Sequence, residues 1–420
     1  MTTISRIIGF LLLTLFILLT SCSSDDDAQV VLPEPKGIKT IAELASYFES
    51  IIETEQVPGF AVSIAKDNGL IYQEAFGYEN LQTKKAFSNE TVINIASVSK
   101  TFVAAATAKA IEQGHFTLDT PINDILPVEI INLKNPDVII RVKHLVTHTS
   151  GIVDDPNTYL VANYFVLPNQ NMSTNGASIL TDGLGLEVSG PIALDDYLSE
   201  YFIEDGVLYG SSNFIAVDPG ETWSYSNVAT ALMGLIIEVA TENEFADYVD
   251  EYVLRPLQMN ASTFDVLEVN QQIQAVPYLD KNTPLPFYGN HGYPEGSIYT
   301  TNLDLGQYLL DMTMGIKGQS NTLFGQEYYE LLFTKQLPAG TVPSSFAENH
   351  GVYWYKNGGS WMHGGNSLGV SSHFEVRADG SSGFFILSNM DGTFSDNEPK
   401  WEAVKEKLVK AIEEFVNNNQ

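Results

Sequence analysis

Cysteine is almost absent from this chain of 420 residues, since Cys22 is the only one. A disulfide framework and a metal site built from several thiolates are therefore excluded. Positive charge is also scarce, because 21 Lys and Arg face 52 Asp and Glu, for a formal net charge of -31. An acidic surface of this kind repels phosphate backbones and anionic lipid headgroups, so we expect no nucleic-acid partner. The hydrophobic content of 44% predicts a globular protein with a large core.

Long apolar runs are also rare, and the one that stands out lies at the N-terminus. Residues 7–19 follow Arg6 and are too few for a comfortable membrane span, but they fit the core of a signal peptide. Residues 19–22, Leu-Thr-Ser-Cys, resemble a bacterial lipobox, in which the cysteine is acylated and becomes the first mature residue. We therefore expect a signal peptide over 1–22, a lipid anchor on Cys22 as the sole membrane contact, and a flexible tether over 23–37.

The acidic run that follows Cys22, Ser-Ser-Asp-Asp-Asp, resembles an export signal of surface lipoproteins. It favours the cell envelope of a Gram-negative bacterium, either facing the periplasm or at the outer-membrane surface. The oligomeric state is left open by the sequence.

Hydrophobic periodicity predicts strands at both ends of the remaining chain and helices between them. The predicted strands are 60–65, 70–76, 352–355, 369–376 and 383–387, the first two joined at Asn68-Gly69 as a hairpin. The predicted helices are 41–52, 97–114, 142–148, 229–240, 245–257, 304–314, 326–334 and 401–415. The pattern predicts an α+β fold over 38–420, an antiparallel sheet flanked by helices, with a mostly helical insertion over about 103–345.

One long stretch inside the domain, 152–218, is rich in Asn, Gly and Ser and shows only patchy periodicity. A segment of this length without a clear period is usually functional or loosely ordered. Together with 285–296, we expect it to wall a substrate pocket.

The stretch Ser97-Val98-Ser99-Lys100 precedes small apolar residues that predict a buried helix. A serine and a lysine three positions apart lie on one face of a helix, so the amine can reach the hydroxyl and accept its proton. The spacing alone is common by chance and needs support from the rest of the chain.

Two further motifs supply that support. The first is Tyr225-Ser226-Asn227, which precedes a predicted helix. A phenol acts as a general base if a nearby ammonium lowers its pKa. The side-chain amide of Asn227 can hold the lysine or a substrate carbonyl. His363-Gly364-Gly365-Asn366 lies in the strand-rich part, where paired glycines let another backbone approach closely. The backbone N–H groups of Ser97 and Asn366 could then form an oxyanion hole.

SxxK, YxN and HGG in this order resemble the serine β-lactamase and penicillin-binding-protein superfamily. The resemblance is greatest to its class C branch, which also contains esterases, D-stereospecific aminopeptidases and carboxypeptidases. It spans about 38–418 and includes the accessory stretches 57–60, 145–152 and 219–227. It implies a β-lactamase-like fold and an extracytoplasmic serine hydrolase that needs no cofactor or metal and acts on a small ester, amide or peptide.

The resemblance also implies a role for each motif residue. Ser97 is the acylated nucleophile, Lys100 and Tyr225 share the proton transfer, and which of the two is the base stays open. The residues that bind the substrate or the oxyanion are Asn227, His363, Gly364, Gly365 and Asn366.

The third motif departs from the superfamily pattern at its first position. Penicillin-recognising members commonly have Lys-Thr-Gly there, and the lysine attracts the substrate carboxylate. This chain has His363, which is largely neutral near pH 7. The departure favours the esterase-like and aminopeptidase-like members over efficient β-lactam recognition.

Three other interpretations have weaker support in the sequence. Residues 365–369 match G-x-S-x-G, the nucleophile elbow of α/β-hydrolases, but no acid stands between Ser367 and the next histidine, His373. His144 and His148 lack the glutamate and the third ligand of a zinc site, so no metal is expected. The remaining alternative is a surface lipoprotein that binds penicillin or wall fragments and is acylated with little turnover.

Overall fold

The structure is a computed structural model that describes residues 34–55 and 57–419. The strands are β1 (Gly59–Lys66), β2 (Gly69–Asn80), β3 (Lys85–Ala86), β4 (Ile93–Asn94), β5 (Tyr164–Val166), β6 (Glu187–Val188), β7 (Tyr278–Asp280), β8 (Thr283–Pro284), β9 (Tyr288–Asn290), β10 (Tyr299–Thr300), β11 (Asn349–His350), β12 (Tyr355–Asn357), β13 (Ser360–Ser367), β14 (Val370–Arg377) and β15 (Ser382–Ser388). The α-helices are α1 (Ile41–Thr54), α2 (Lys100–Glu112), α3 (Val142–Val146), α4 (Tyr159–Asn163), α5 (Asn175–Ser178), α6 (Leu194–Phe202), α7 (Asn227–Thr241), α8 (Phe245–Val249), α9 (Asn302–Ile316), α10 (Gln326–Leu332) and α11 (Glu398–Asn418).

Strands from both ends of the chain form one antiparallel sheet, in the order β11-β12-β13-β14-β15-β1-β2-β3. β1 pairs with β15 on one side, with Phe60 opposite Ser388, and with β2 on the other. The β1–β2 turn has positive φ at Asp67 and Asn68, as a tight hairpin turn requires. The predicted α+β fold is confirmed, and the hairpin turns one residue earlier than Asn68-Gly69 indicates.

Helices from the two chain ends cover one face of this sheet. α1 begins with a capping box, in which Thr40 Oγ1 accepts from the Glu43 N–H while the Glu43 carboxylate accepts from the Thr40 N–H. The apolar faces of α1 and α11 bury Phe48 and Trp401 against β1. The two chain ends therefore share one core layer.

The other face of the sheet packs against helices from the middle of the chain. α9 lies against β1, β2 and β15, and α2 packs between α7 and α10. α2 is buried from Lys100 to Ala108, because its alanines leave room for neighbours on all sides. Lys100, at the start of this helix, is enclosed by protein and has no contact with water.

The region around the predicted strand 352–355 differs from the prediction. Tyr353 has a φ of 55°, and its N–H donates to the Val146 carbonyl, so the backbone leaves the extended conformation there. The strand begins only at β12, and Val352 and Trp354 are buried as part of a turn. The aromatic run has a strand's composition, but its contact with the end of α3 sets its conformation.

The predicted helix 245–257 is shorter as an α-helix, since α8 ends at Val249 and Asp250–Leu254 continues as a π-helical turn. The patchy stretch 152–218 contains α4, β5, α5, β6 and α6.

The predicted signal peptide, Cys22 and residues 23–33 of the tether lie outside the described residues. Within 34–55 and 57–419, none of the helices combines the length and the hydropathy needed to cross a bilayer.

Candidate active site

Ser97 lies in a 3-10 turn, Ala96–Ser99, between β4 and α2. Ala96, directly before it, has a φ of 48°, in the left-handed region that residues with a side chain rarely adopt. The Ala96 N–H donates to Asn94 Oδ1 at 2.7 Å, and Ser99 Oγ donates to the Ala96 carbonyl at 2.6 Å, which holds this conformation. The strained turn places the partly exposed Ser97 at the head of a buried helix, where a ligand can reach its hydroxyl.

Lys100 opens α2 and is fully buried. Its Nζ lies 3.1 Å from Ser97 Oγ, 2.8 Å from Asn227 Oδ1 and 2.6 Å from the Glu295 carbonyl oxygen. Burial lowers the pKa of Lys100, while the carboxylates of Glu295 and Asp154 oppose this effect. The lowered pKa favours the neutral amine, which is the form that can accept a proton from serine.

Asn227, the first residue of α7, presents its Oδ1 to the lysine because Asp154 holds the other end of the amide. Asp154 accepts from Asn227 Nδ2 at 2.9 Å and from the backbone N–H groups of Asn227 at 3.0 Å and Val228 at 2.9 Å. Ser226, the N-cap of α7, also donates to it, at 3.1 Å. A carboxylate accepts hydrogen bonds, so the NH₂ end must face Asp154 and the oxygen must face Lys100.

Tyr225 brings a third predicted group to the same point. Lys100 Nζ lies 5.0 Å from the centroid of its ring. Burial raises the pKa of Tyr225, a hydrogen bond with Ser97 opposes the rise, and the charges of Glu295 and Asp154 add to it. The condition under which the sequence makes this phenol a general base, a pKa lowered by a nearby ammonium, is not met, because burial and the two carboxylates around the lysine raise the pKa. At neutral pH the phenol therefore keeps its proton.

Residues 363–366 lie on β13, whose edge faces the nucleophile turn. β12 pairs with β13 only up to Met362, so it does not cover the edge beyond that residue. A Cβ built on Gly365 would lie 3.0 Å from the backbone N of Ser97. Glycine at this position therefore lets the strand approach the turn closely. The approach brings the N–H groups predicted for the oxyanion hole, of Ser97 and Asn366, to neighbouring backbone segments.

His363 is buried and neutral at physiological pH. Burial, aided by the charge of Lys100, lowers its pKa to about 3. Its Nδ1 lies 2.7 Å from the Gly364 carbonyl oxygen, and because a carbonyl only accepts, Nδ1 carries the proton and Nε2 the lone pair. The side chain therefore offers no positive charge to a substrate, as expected from the sequence.

Two more buried histidines pack around Tyr225. The ring centroid of His148 lies 4.4 Å from that of Tyr225 and 5.4 Å from that of His350. Burial lowers the pKa of His350 to about 4 and that of His148 well below its usual value. With His363, they form a group of neutral imidazoles that fills the space behind the phenol.

The two stretches predicted to wall the pocket, 152–218 and 285–296, lie side by side in the structure. β5 from the first pairs with β9 from the second, with Phe165 opposite Gly289. Glu295, near the end of the second stretch, accepts from Asn163 of the first and also contacts Lys100. Both stretches are therefore linked to the buried amine of Lys100 through Glu295.

The rival motif at 365–369 is not a nucleophile elbow. Ser367 ends β13 rather than a strand-to-helix turn, and its Oγ accepts from the Tyr288 hydroxyl at 2.9 Å. His373 is paired with Glu375 instead, at 3.3 Å.

His144 and His148 also have separate structural roles. Nδ1 of His144 accepts from the Arg141 N–H at 3.0 Å and caps α3, whereas His148 faces Tyr225. In the part of the chain that the structure describes, no three side chains of metal-ligand type are grouped together.

Neither Asp154 nor Glu295, the two carboxylates around the lysine, belongs to a motif recognised in the sequence. Asp154 lies two residues after the accessory stretch 145–152, so its position near a motif was an available signal. Glu295 has no comparable local signal, since it meets Lys100 from 195 residues further along the chain.

Several known proteins resemble this chain in sequence. The sequence profile of the Beta-lactamase family matches residues 44–408. Protein flp of Staphylococcus aureus is 22% identical over 358 residues, which are 84% of this chain and 64% of that protein. Esterase EstB of Burkholderia gladioli is 27% identical over 240 residues, 57% of this chain and 55% of that protein. The chain thus spans less than two thirds of the length of these curated relatives.

Two solved structures have the same fold. The octameric penicillin-binding protein homologue from Pyrococcus abyssi superposes with a TM-score of 0.65 at 24% identity, covering 87% of this chain and 77% of that one. D-amino acid amidase from Ochrobactrum anthropi SV3 superposes with a TM-score of 0.66 at 17% identity, covering 90% and 100%.

Asp154→Asn is expected to disturb the side-chain amide of Asn227 without replacing any motif residue. The new NH₂ group would face N–H and O–H donors, so the fixed orientation of Asn227 is lost. We expect kcat/KM to fall about tenfold or more, which corresponds to ~1.4 kcal/mol of transition-state stabilisation, and the protein to be destabilised by about 1–3 kcal/mol. Steady-state kinetics and denaturant unfolding measure the two effects.

Asp155→Asn is the matched control, because Asp155 accepts only from Asn157 and Ser212 nearby. An equal loss of kcat/KM in both variants would contradict the role given to Asp154.

The buried histidines predict acid destabilisation. Because the pKa of His350 is about 4 when folded and near its ordinary value when unfolded, the unfolded chain binds the extra proton between those values. Stability therefore falls as the pH drops below about 6.5, by about 1.4 kcal/mol per pH unit for this group, and the effect levels off below the folded pKa. Between pH 7 and 5, His350→Gln should therefore lose about 2 kcal/mol less folding stability than wild type.

Chemical unfolding at both pH values measures that difference. His115→Gln, at an exposed position after α2, should leave the pH dependence of wild type in place. If His350→Gln loses as much stability as wild type between pH 7 and 5, the buried imidazole is not a source of the acid sensitivity.

Proposed function

Because this chain belongs to the beta-lactamase family and joins Ser97, Lys100 and Tyr225 in one site, we propose that it is a serine hydrolase that cleaves an ester or amide bond through an acyl-enzyme on Ser97. The observation that carries this proposal is the 3.1 Å contact between Lys100 Nζ and Ser97 Oγ at the head of a buried helix. The contact supplies a nucleophile and its base in the geometry that acyl transfer needs.

In the proposed reaction, Ser97 Oγ attacks the substrate carbonyl and its proton passes to the neutral amine of Lys100. The carbonyl oxygen becomes an oxyanion, which the backbone N–H groups of Ser97 and Asn366 stabilise; removal of one such donor typically lowers turnover about 100- to 1000-fold. The tetrahedral intermediate then collapses, and the proton moves from Lys100 through Tyr225 to the leaving group. Water releases the acyl group by the same steps in reverse.

The charge of the site supports esters, or amides without a carboxylate beside the scissile bond, as the substrate class. His363 is neutral and exposes no N–H at Nε2, so a carboxylate at the third motif would meet no cation. The nearby carboxylates of Asp154 and Glu295 repel it further. Similarity to an esterase points the same way.

A fluorophosphonate probe followed by peptide mass spectrometry tests the acyl-enzyme. We expect one adduct, on Ser97, and its loss in Ser97→Ala, which should also lower kcat/KM for p-nitrophenyl esters by about 1000-fold or more. Ser367→Ala is the matched control and should be labelled as wild type. Labelling at Ser367, or labelling that survives in Ser97→Ala, would contradict the proposal.

The same preparations distinguish the substrate classes. p-Nitrophenyl esters and D-amino-acid amides should be turned over faster than a chromogenic cephalosporin. Efficient cephalosporin hydrolysis would show that a neutral His363 does not prevent β-lactam recognition. Labelling without turnover of any of them would instead indicate a penicillin-binding or wall-fragment-binding lipoprotein.

We also propose that the protein is extracytoplasmic and held in the cell envelope by a lipid on Cys22. The support is the lipobox-like Leu-Thr-Ser-Cys at 19–22. Cys22→Ser should abolish processing of the precursor and release of the signal peptide in a Gram-negative host. Membrane fractionation and globomycin sensitivity measure this, and unchanged processing and fractionation would contradict the anchor.

A further inference from the structure

Glu295 places a buried carboxyl group directly beside the catalytic lysine. The residue is 3% exposed, and its Oε2 lies 3.4 Å from Lys100 Nζ. Its own carbonyl oxygen accepts from the same Nζ at 2.6 Å. One residue therefore contacts the amine through both its backbone and its side chain.

The other carboxyl oxygen is fixed by three donors from two segments of the chain. Oε1 of Glu295 accepts from the Tyr159 hydroxyl, from Asn163 Nδ2 at 2.8 Å and from Asn290 Nδ2 at 3.0 Å. Tyr159 and Asn163 belong to α4, and Asn290 ends β9. With Oε1 anchored in this way, Oε2 is left facing Lys100 and cannot rotate away without breaking three hydrogen bonds.

The hydrogen bonds at Nζ explain why a charge is needed there. As a neutral amine, Lys100 can donate to Asn227 Oδ1 and to the Glu295 carbonyl, and its lone pair then faces Ser97 Oγ. When the Ser97 proton arrives, the amine becomes an ammonium in a fully buried position. An uncompensated charge of this kind is strongly unfavourable.

Building on the proposed function, we propose that Glu295 is a positioning residue for Lys100. Its carbonyl oxygen holds the amine against Ser97, and its carboxylate balances the positive charge that Lys100 acquires during acylation. The proton itself moves only from Ser97 Oγ to Lys100 and on to the leaving group, so Glu295 forms no covalent bond and takes no proton.

Several titratable groups face Lys100 from the elements packed against it. Glu295 and Asp154 both raise the pKa of Lys100, and Glu295 does so through charge and hydrogen bonding together. Three further groups near the amine are neutral at pH 7: Tyr225 is a phenol with a raised pKa, and burial lowers the pKa of His148 and His363. Loss of the Glu295 charge therefore lowers the pKa of Lys100.

The test is the pH dependence of kcat/KM for a p-nitrophenyl ester, together with the rate of fluorophosphonate labelling. In wild type, both should rise with pH as Lys100 loses its proton. In Glu295→Gln, the midpoint of this rise should move to lower pH by about one unit, and the plateau should fall about tenfold or more because the amine is a weaker base and its ammonium is uncompensated. A midpoint that stays in place or moves to higher pH overturns the proposal.

Glu238→Gln is the matched control, since Glu238 is also a largely buried carboxyl group that accepts from a tyrosine, Tyr293, and does not contact Lys100. Its midpoint should equal that of wild type. Glu295→Asp keeps the charge but moves it away from Lys100 Nζ, and it serves if Glu295→Gln does not fold; its midpoint should move in the same direction by less. An unmoved midpoint in this variant also overturns the proposal.

Failure of this inference and failure of the proposed function give different results. Wild type that neither hydrolyses esters nor is labelled on Ser97 contradicts the function itself. Wild type that is active, with variants whose midpoint is unmoved, contradicts only the role of Glu295.

Discussion

Burial of the Lys100 amine is the constraint on which the rest of the site depends. A lysine without access to water must find all its partners in the protein, and here they are Ser97 Oγ, Asn227 Oδ1 and the Glu295 carbonyl. Each partner requires support of its own: a strained turn for Ser97, Asp154 for Asn227, and the α4 contacts for Glu295. The hydrogen bonds of this one nitrogen atom thereby fix three distant segments of the chain, around positions 97, 227 and 295, relative to one another.

The same constraint explains the arrangement of the elements. α2 must be alanine-rich so that α7 and α10 can pack closely against it, and β13 needs Gly365 so that its edge can reach the Ser97 backbone. The central pairing of β1 with β15 joins the two ends of the chain in one sheet, of which β13 is a part. The fold therefore supplies rigid supports on both sides of a partly exposed hydroxyl.

The sequence predicted the parts of this site that depend on local spacing. Ser97 and Lys100 are one helical turn apart, and Tyr225 precedes a helix start, so simple periodicity places each on the right element. Asp154 and Glu295 were not predicted, because their role exists only once segments 54 or more residues apart meet at Nζ. The raised pKa of Tyr225 was not predicted either, because it follows from burial in the folded protein and from two carboxylates outside the motif. The prediction of a strand at 352–355 is wrong because Tyr353, whose N–H donates to the Val146 carbonyl, has a backbone conformation in the left-handed region.

The balance of charge around Nζ also bears on the histidine of the third motif. His363 lies close enough to Lys100 for that charge to lower its pKa further, so a permanent cation at position 363 would compete with the ammonium formed during acylation. A neutral imidazole avoids this competition and leaves Asp154 and Glu295 to compensate one positive charge instead of two. The cost is the loss of an electrostatic anchor for a substrate carboxylate. A neutral ester or amide carbonyl needs no such anchor, since the oxyanion hole and the β13 edge can position it through backbone hydrogen bonds alone.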